Sequence, residues 1–151
     1  MSAASQEVSR AALVTLLQTA LVGTGKPTQA VFNGLASDFG GRAPVVMVTD
    51  SGVSRKPRDL TGTKYKTRFK ELVLIWVADA DETAHWTDTD AENQQAQLEA
   101  VIADVLAANR RTAYWNWIEH DGEAVPDNIP DSGGKPYLVL GVPIALEVLD
   151  A

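Results

Sequence analysis

The segment TKYKTRFKELVLIWV, Thr63 to Val77, constrains the fold most. Side chains along a strand alternate between faces. Here one parity reads Lys64, Lys66, Arg68, Lys70 and continues as Leu72, Leu74, Trp76. The pattern predicts one long strand that begins as a row of cations and ends as core. Such a strand spans roughly 50 Å at ~3.3 Å per residue. A compact domain of this chain's length has a radius of gyration of about 15 Å, hence a diameter of about 40 Å. The strand is therefore expected to overrun the body, with its apolar half inside and its cationic half outside. With the preceding segment it would form a protruding β-hairpin arm. A bare two-stranded arm is marginal in water, so something should pack on it, and Tyr65 and Phe69 on its other face fit that expectation. The competing reading is a solvated edge whose lysines discourage aggregation.

The remaining elements follow from periodicity and punctuation. SQEVSRAALVTLLQTALVG places Val8, Ala12, Leu13, Leu16, Leu17, Ala20 and Leu21 at helical spacing, with Ser5 as N-cap and Gly23 and Gly25 at the end. A short strand is expected at Gln29–Phe32, a second at Pro44–Asp50, and loops at NGLASDFGGRAP and Ser51–Gly62. After the long strand comes a polar connector, DADETAHWTDTD. A second helix then runs from about Asp90 to Asn109, with Thr89 and Glu92 in capping-box spacing and Leu98, Val101, Ile102, Val105 and Leu106 as its stripe. YWNWIEH reads as a strand followed by an Asp121-Gly122 hairpin turn, AVPDNIPDSGGK as a loop, and PYLVLGVPIALEVLD as the last strand. Pro143 donates no ladder bond, so this strand should be an edge there or carry a bulge. The order helix, strands, helix, strands predicts an α+β fold in a single domain over 1–151. The sheet should be mostly antiparallel, with two main helices packed on it.

Charge narrows the function. The chain has 151 residues, no cysteine and a formal net charge of −7, which argues against wholesale nucleic-acid binding. Seven bases and one acid, Asp59, lie between Ser54 and Lys70, whereas fifteen acids and three bases follow from Asp79 onward. A positive patch on a negative body suits a polyanion or the acidic part of another copy. The patch residues are Arg55, Lys56, Arg58, Lys64, Lys66, Arg68 and Lys70, and Glu92, Glu99 and Asp104 on the second helix are the acids expected to meet them. The N-terminus has no signal-peptide pattern, and no apolar run reaches the ~20 residues of a membrane helix.

Candidate chemistry is sparse. His85 and His120 lie far apart and in no HExxH pattern, and no nucleophile elbow or P-loop is present. Asp79, Asp81, Asp88 and Asp90 have the composition of a metal loop. As an EF-hand it fails at the sixth position, Ala84, and lacks the closing glutamate. A metal-dependent enzyme centred on Asp79, Asp81, His85 and Asp88 is nonetheless one competing class, and helix-capping acids are the plainer reading. Trp115 and Trp117, two apart, are expected on one strand face, as packing or as a base-stacking platform. Gly133 and Gly134 serve a turn, as does FGGRAP.

In element order and texture the chain resembles the tail terminator proteins of long-tailed bacteriophages. The residues that carry the likeness are RAALVTLLQTAL, PVVMVT, the charged loop, LVLIWVAD, the second helix, YWNWIEH, GGKPY and PIALEV, from about Arg10 to Leu149. The resemblance implies a homohexameric ring that caps the tail tube, halts its polymerisation and offers a docking surface to the head connector. It implies neither catalysis nor a cofactor, and a place in the virion after assembly in the host cytoplasm. The basic arm would then meet acids of a neighbouring subunit, or line a pore through which DNA passes. Neck and tail-completion proteins share much of this texture, and a small nucleic-acid-binding module is the remaining alternative.

Overall fold

The structure, a computed structural model, describes residues 3–36, 43–78, 85–130 and 136–150. Helix α1 spans Gln6–Leu21 and buries Leu13, Val14, Leu17 and Leu21. Ser5 stands at its N-cap in extended conformation but makes no side-chain capping bond. The chain leaves the helix through Gly23 and Gly25, whose positive φ of 136° and 74° suits glycine alone. Strand β1 (Ala30–Asn33) runs parallel to β2 (Val45–Pro57), which turns back antiparallel into β3 (Tyr65–Ala78). Helix α2 (Asp88–Ala108) follows, then β4 (Trp117–His120), β5 (Val125–Pro130) and β6 (Pro136–Leu149). The sheet order is β1-β2-β3-β6-β4, with β5 also on β6. The fold is thus α+β with a mostly antiparallel sheet, as the element order predicts.

Both helices cover one face of the sheet. Leu13, Leu17, Leu98, Ile102 and Leu106 pack there on Phe69, Val73, Ile75, Ile144 and Leu146. The opposite face has a smaller cluster at one end, where Val45, Met47, Trp76, Tyr137 and Val139 meet, the Trp76 and Tyr137 rings edge to face at 5.9 Å. The chemical change along the long strand follows from this layering. Its odd-numbered residues face the helices throughout, and its even-numbered residues enter the smaller cluster only from Leu74 onward.

Several sequence expectations need correction. Residues Ser51 to Pro57 are strand, not loop, because they pair along the cationic half of β3 after a bulge between Asp50 and Gly52. VPDNIP is likewise not loop, since β5 pairs with β6. The capping box of α2 lies two residues earlier than Thr89/Glu92. Thr87 accepts from the Asp90 amide at 3.1 Å, and the Asp90 carboxylate accepts from the Thr87 amide at 2.9 Å. Asp121-Gly122 joins no hairpin: β4 and β5 both pair with β6 and are successive pieces of one interrupted strand. The interruption falls opposite Pro143, whose missing N–H is answered by a break in the neighbour rather than by an edge position.

The long strand is continuous through Arg68, but it does not stand out as a two-stranded arm. β6 pairs with it from Lys66 to Ala78. The element expected to pack on the arm is thus the chain's own last strand. What extends past β6 is the hairpin tip, residues 58–64, closed by the Arg58 amide donating to the Lys64 carbonyl at 2.7 Å.

Candidate functional site

Four of the seven patch cations, Lys56, Lys66, Arg68 and Lys70, lie on the helix-free face, on facing strands of the hairpin. Lys56 stands directly across from Lys66, a like-charge pair that is unfavourable by itself. The chain answers with its own acids. Arg68 bridges Glu119 and Asp121, each at 2.9 Å, and lies 3.7 Å from Glu147. Lys66 reaches Glu147 at 3.3 Å, and Lys70 reaches Asp121 at 3.8 Å. The fork of a guanidinium can hold two carboxylates at once, and the hydrogen bonds from Arg68 hold Glu119 below its usual carboxylate range. This network ties β3 to β4 and β6. Sequence reasoning missed these acids because the pairing β6–β4 decides it, and that pairing is long-range.

The other cations serve the hairpin. Arg55 lies over the Phe69 ring, 5.6 Å from its centroid, and donates to Thr67 Oγ1 at 3.0 Å and the Ala4 carbonyl at 2.9 Å. Arg58 donates to the Asp150 carbonyl. Lys56 and Lys64 form no ion pair with a described residue. Glu92 and Asp104 are exposed on α2, Glu99 is half-buried, and none of the three contacts the patch within this chain.

The tip is built, not loose. The Asp59 carboxylate accepts from Thr61 Oγ1, Thr63 Oγ1 and the Thr63 amide at 2.9 to 3.0 Å. Those bonds, the one from Thr61 first, pull its pKa down to about 2. Gly62 supplies the turn with φ of 70°.

A second group was not foreseen. Glu71 is fully buried on the helix-facing side of β3, beside the bulge in β2. Its Oε1 accepts from Gln6 Nε2 at 3.2 Å, while Oε2 has no donor among the described residues. Its cross-strand neighbour is Asp50, which pairs with Arg10. Burial first, and then Asp50, push the Glu71 carboxyl up to about 8. It is therefore protonated at neutral pH.

The aromatic pair is split. Trp115 precedes β4, is buried in the helix-side core and donates to the Asn109 carbonyl at 3.0 Å. Trp117 stays part-exposed, with Arg110 5.4 Å from its ring centroid. The two therefore share no face. Of the acidic loop, Asp79 and Asp81 lie outside the described residues, and Asp90 is spent on the helix cap. Among the described residues no three metal-ligating side chains gather, and no helix is long and apolar enough to cross a membrane.

No family model and no curated protein matches the chain. Solved structures do match, and one of them is a chain described as "Virion of native gene transfer agent (GTA) particle". That chain is 10% identical, with a TM-score of 0.55 over 97% of this chain and 96% of its own. This protein thus shares its fold, end to end, with a component of a virion particle.

Proposed function

We propose that the protein is a non-enzymatic structural component of a phage-like virion, and within it the tail terminator. As such it forms a ring, of six copies in the resemblance, on the head-proximal end of the tail tube. There it stops tube polymerisation and presents a docking surface to the head connector. The likeness to a chain of a gene transfer agent virion, over 97% of this chain, supports the virion part of this reading, and the element order and texture of the sequence support the terminator within it. The in-chain ion pairs bear on how such a ring is built. Lys66, Arg68 and Lys70 are neutralised by Glu147, Glu119 and Asp121, so they are poor candidates for gripping DNA in a pore or acids on a neighbour. Lys56 and Lys64 remain available for either.

The test is to delete the chain from the producing phage and to image what assembles. A terminator leaves tubes of uncontrolled length. A neck or completion protein leaves tubes of normal length that lack heads, and that outcome would assign the alternative. Normal particles without the chain would reject both. Electron microscopy of intact particles should show the chain as a ring where tube meets connector. DNA retention by the purified chain at low salt, lost steeply as salt rises, would instead favour a nucleic-acid-binding module.

A further inference from the structure

The hairpin tip holds Leu60 entirely in water, at 107% relative exposure, the most exposed large apolar side chain among the described residues. A flexible loop would carry such a residue without meaning. This loop is pinned on both sides of Leu60 by the Asp59 carboxylate and the Arg58–Lys64 backbone bond. The chain therefore fixes a leucine where it touches nothing of its own. On the helix layer lies a shallow groove of about 500 Å³, lined by Glu7, Val8, Ala11, Ala12, Thr15 and Tyr114. Ala11 and Ala12, both half-buried, line it between Val8 and Tyr114, which are half exposed. It has room for a branched aliphatic side chain. The charges also agree: Glu7 stands at the groove, and Lys64, without an ion partner among the described residues, flanks the tip.

We propose that Leu60 of one copy seats in the α1 groove of the next, with Lys64 approaching Glu7. Tip and groove are different patches, so the contact is heterologous and propagates head to tail, closing into a ring when its rotation divides the circle. This rests on the ring-forming reading above and assigns its contact, which moves from the cation row to the leucine beyond it.

The absence of cysteine permits a clean test. The full-length double variant L60C/A11C, oxidised at a concentration where copies meet, should give a ladder of covalent multimers on a non-reducing gel. Mixed single variants L60C and A11C should give a heterodimer and stop there. The pair L60C/V125C, with its second cysteine exposed on the helix-free face, is the control. Cross-linking of L60C/A11C no stronger than this control overturns the proposal. Leu60→Asp, which touches no packed atom, should leave the unfolding midpoint unchanged and lower self-association at least tenfold. Unchanged self-association also overturns it. The two readings fail separately. A ring seen in particles without the specific ladder removes this contact and leaves the ring. A specific ladder from a chain absent from particles keeps the contact and removes the terminator.

Discussion

Glu71 is the residue on which the stability of the molecule depends in a pH-sensitive way. Its carboxyl titrates at about 8 in the fold against 4.5 in the open chain. Between those values the folded state binds a proton that the unfolded state has released, so stability falls as pH rises through this window. Shifts of this size correspond to about 3 kcal/mol lost between pH 5 and pH 9, at ~1.4 kcal/mol per unit and allowing for relaxation. The loss should appear first at the junction of α1 and the hairpin, where Gln6 bonds Glu71 and Arg10 pairs with Asp50. Glu71→Gln keeps the shape and removes the titration. Urea midpoints measured across this range should slope downward for the wild type and stay nearly level for the variant. Parallel slopes would assign the pH dependence elsewhere.

Among the elements, β4 is the one held most by charge. It is four residues long and, among the described residues, pairs with β6 alone. Arg68, on the central strand, reaches across β6 to hold Glu119 and the adjoining Asp121. Arg68→Met leaves Glu119 without its cation, and leaves Asp121 and Glu147 with only the longer contacts from Lys70 and Lys66. It should cost about 2 kcal/mol, the scale of charge-assisted hydrogen bonds at a half-buried site. Arg68→Lys should recover less than half, since an ammonium cannot span both acids. A Glu119 carboxyl that titrates nearer its ordinary range in the Met variant, by NMR, would be the local signature. A loss under 0.5 kcal/mol would show that solvent already screens the pairs. The continuity of β3 was legible because alternation in its first half and a continuous apolar, partly β-branched run in its second both read as strand. The outer half of β2, SGVSRKP, and β5, VPDNIP, were not. Glycine, proline and charge give them loop composition, and only pairing to β3 and β6 makes them strands. The cation row was legible as a row. Its partners were not, because they come from residues more than fifty positions away.

For the whole molecule, the internal ion pairs change what the split charge can do. With Lys66, Arg68 and Lys70 paired at home, the patch cations without an ion partner among the described residues are Arg55, Lys56, Arg58 and Lys64, at and beside the tip, while the chain as a whole carries −7. Two copies approaching tip to body are therefore steered, but the contact that holds them is apolar. Steering acts on the rate of encounter and burial on the rate of escape. Raising salt from 50 to 500 mM should slow head-to-tail association about tenfold, as screening shortens the reach of the tip charges. Dissociation should hardly change. Leu60→Ala should do the reverse, hastening dissociation with little effect on association. Rate constants from stopped-flow mixing of labelled copies separate the two. Dissociation that accelerates with salt as much as association slows would place the binding energy in ion pairs, returning the contact from the leucine to the cations around it.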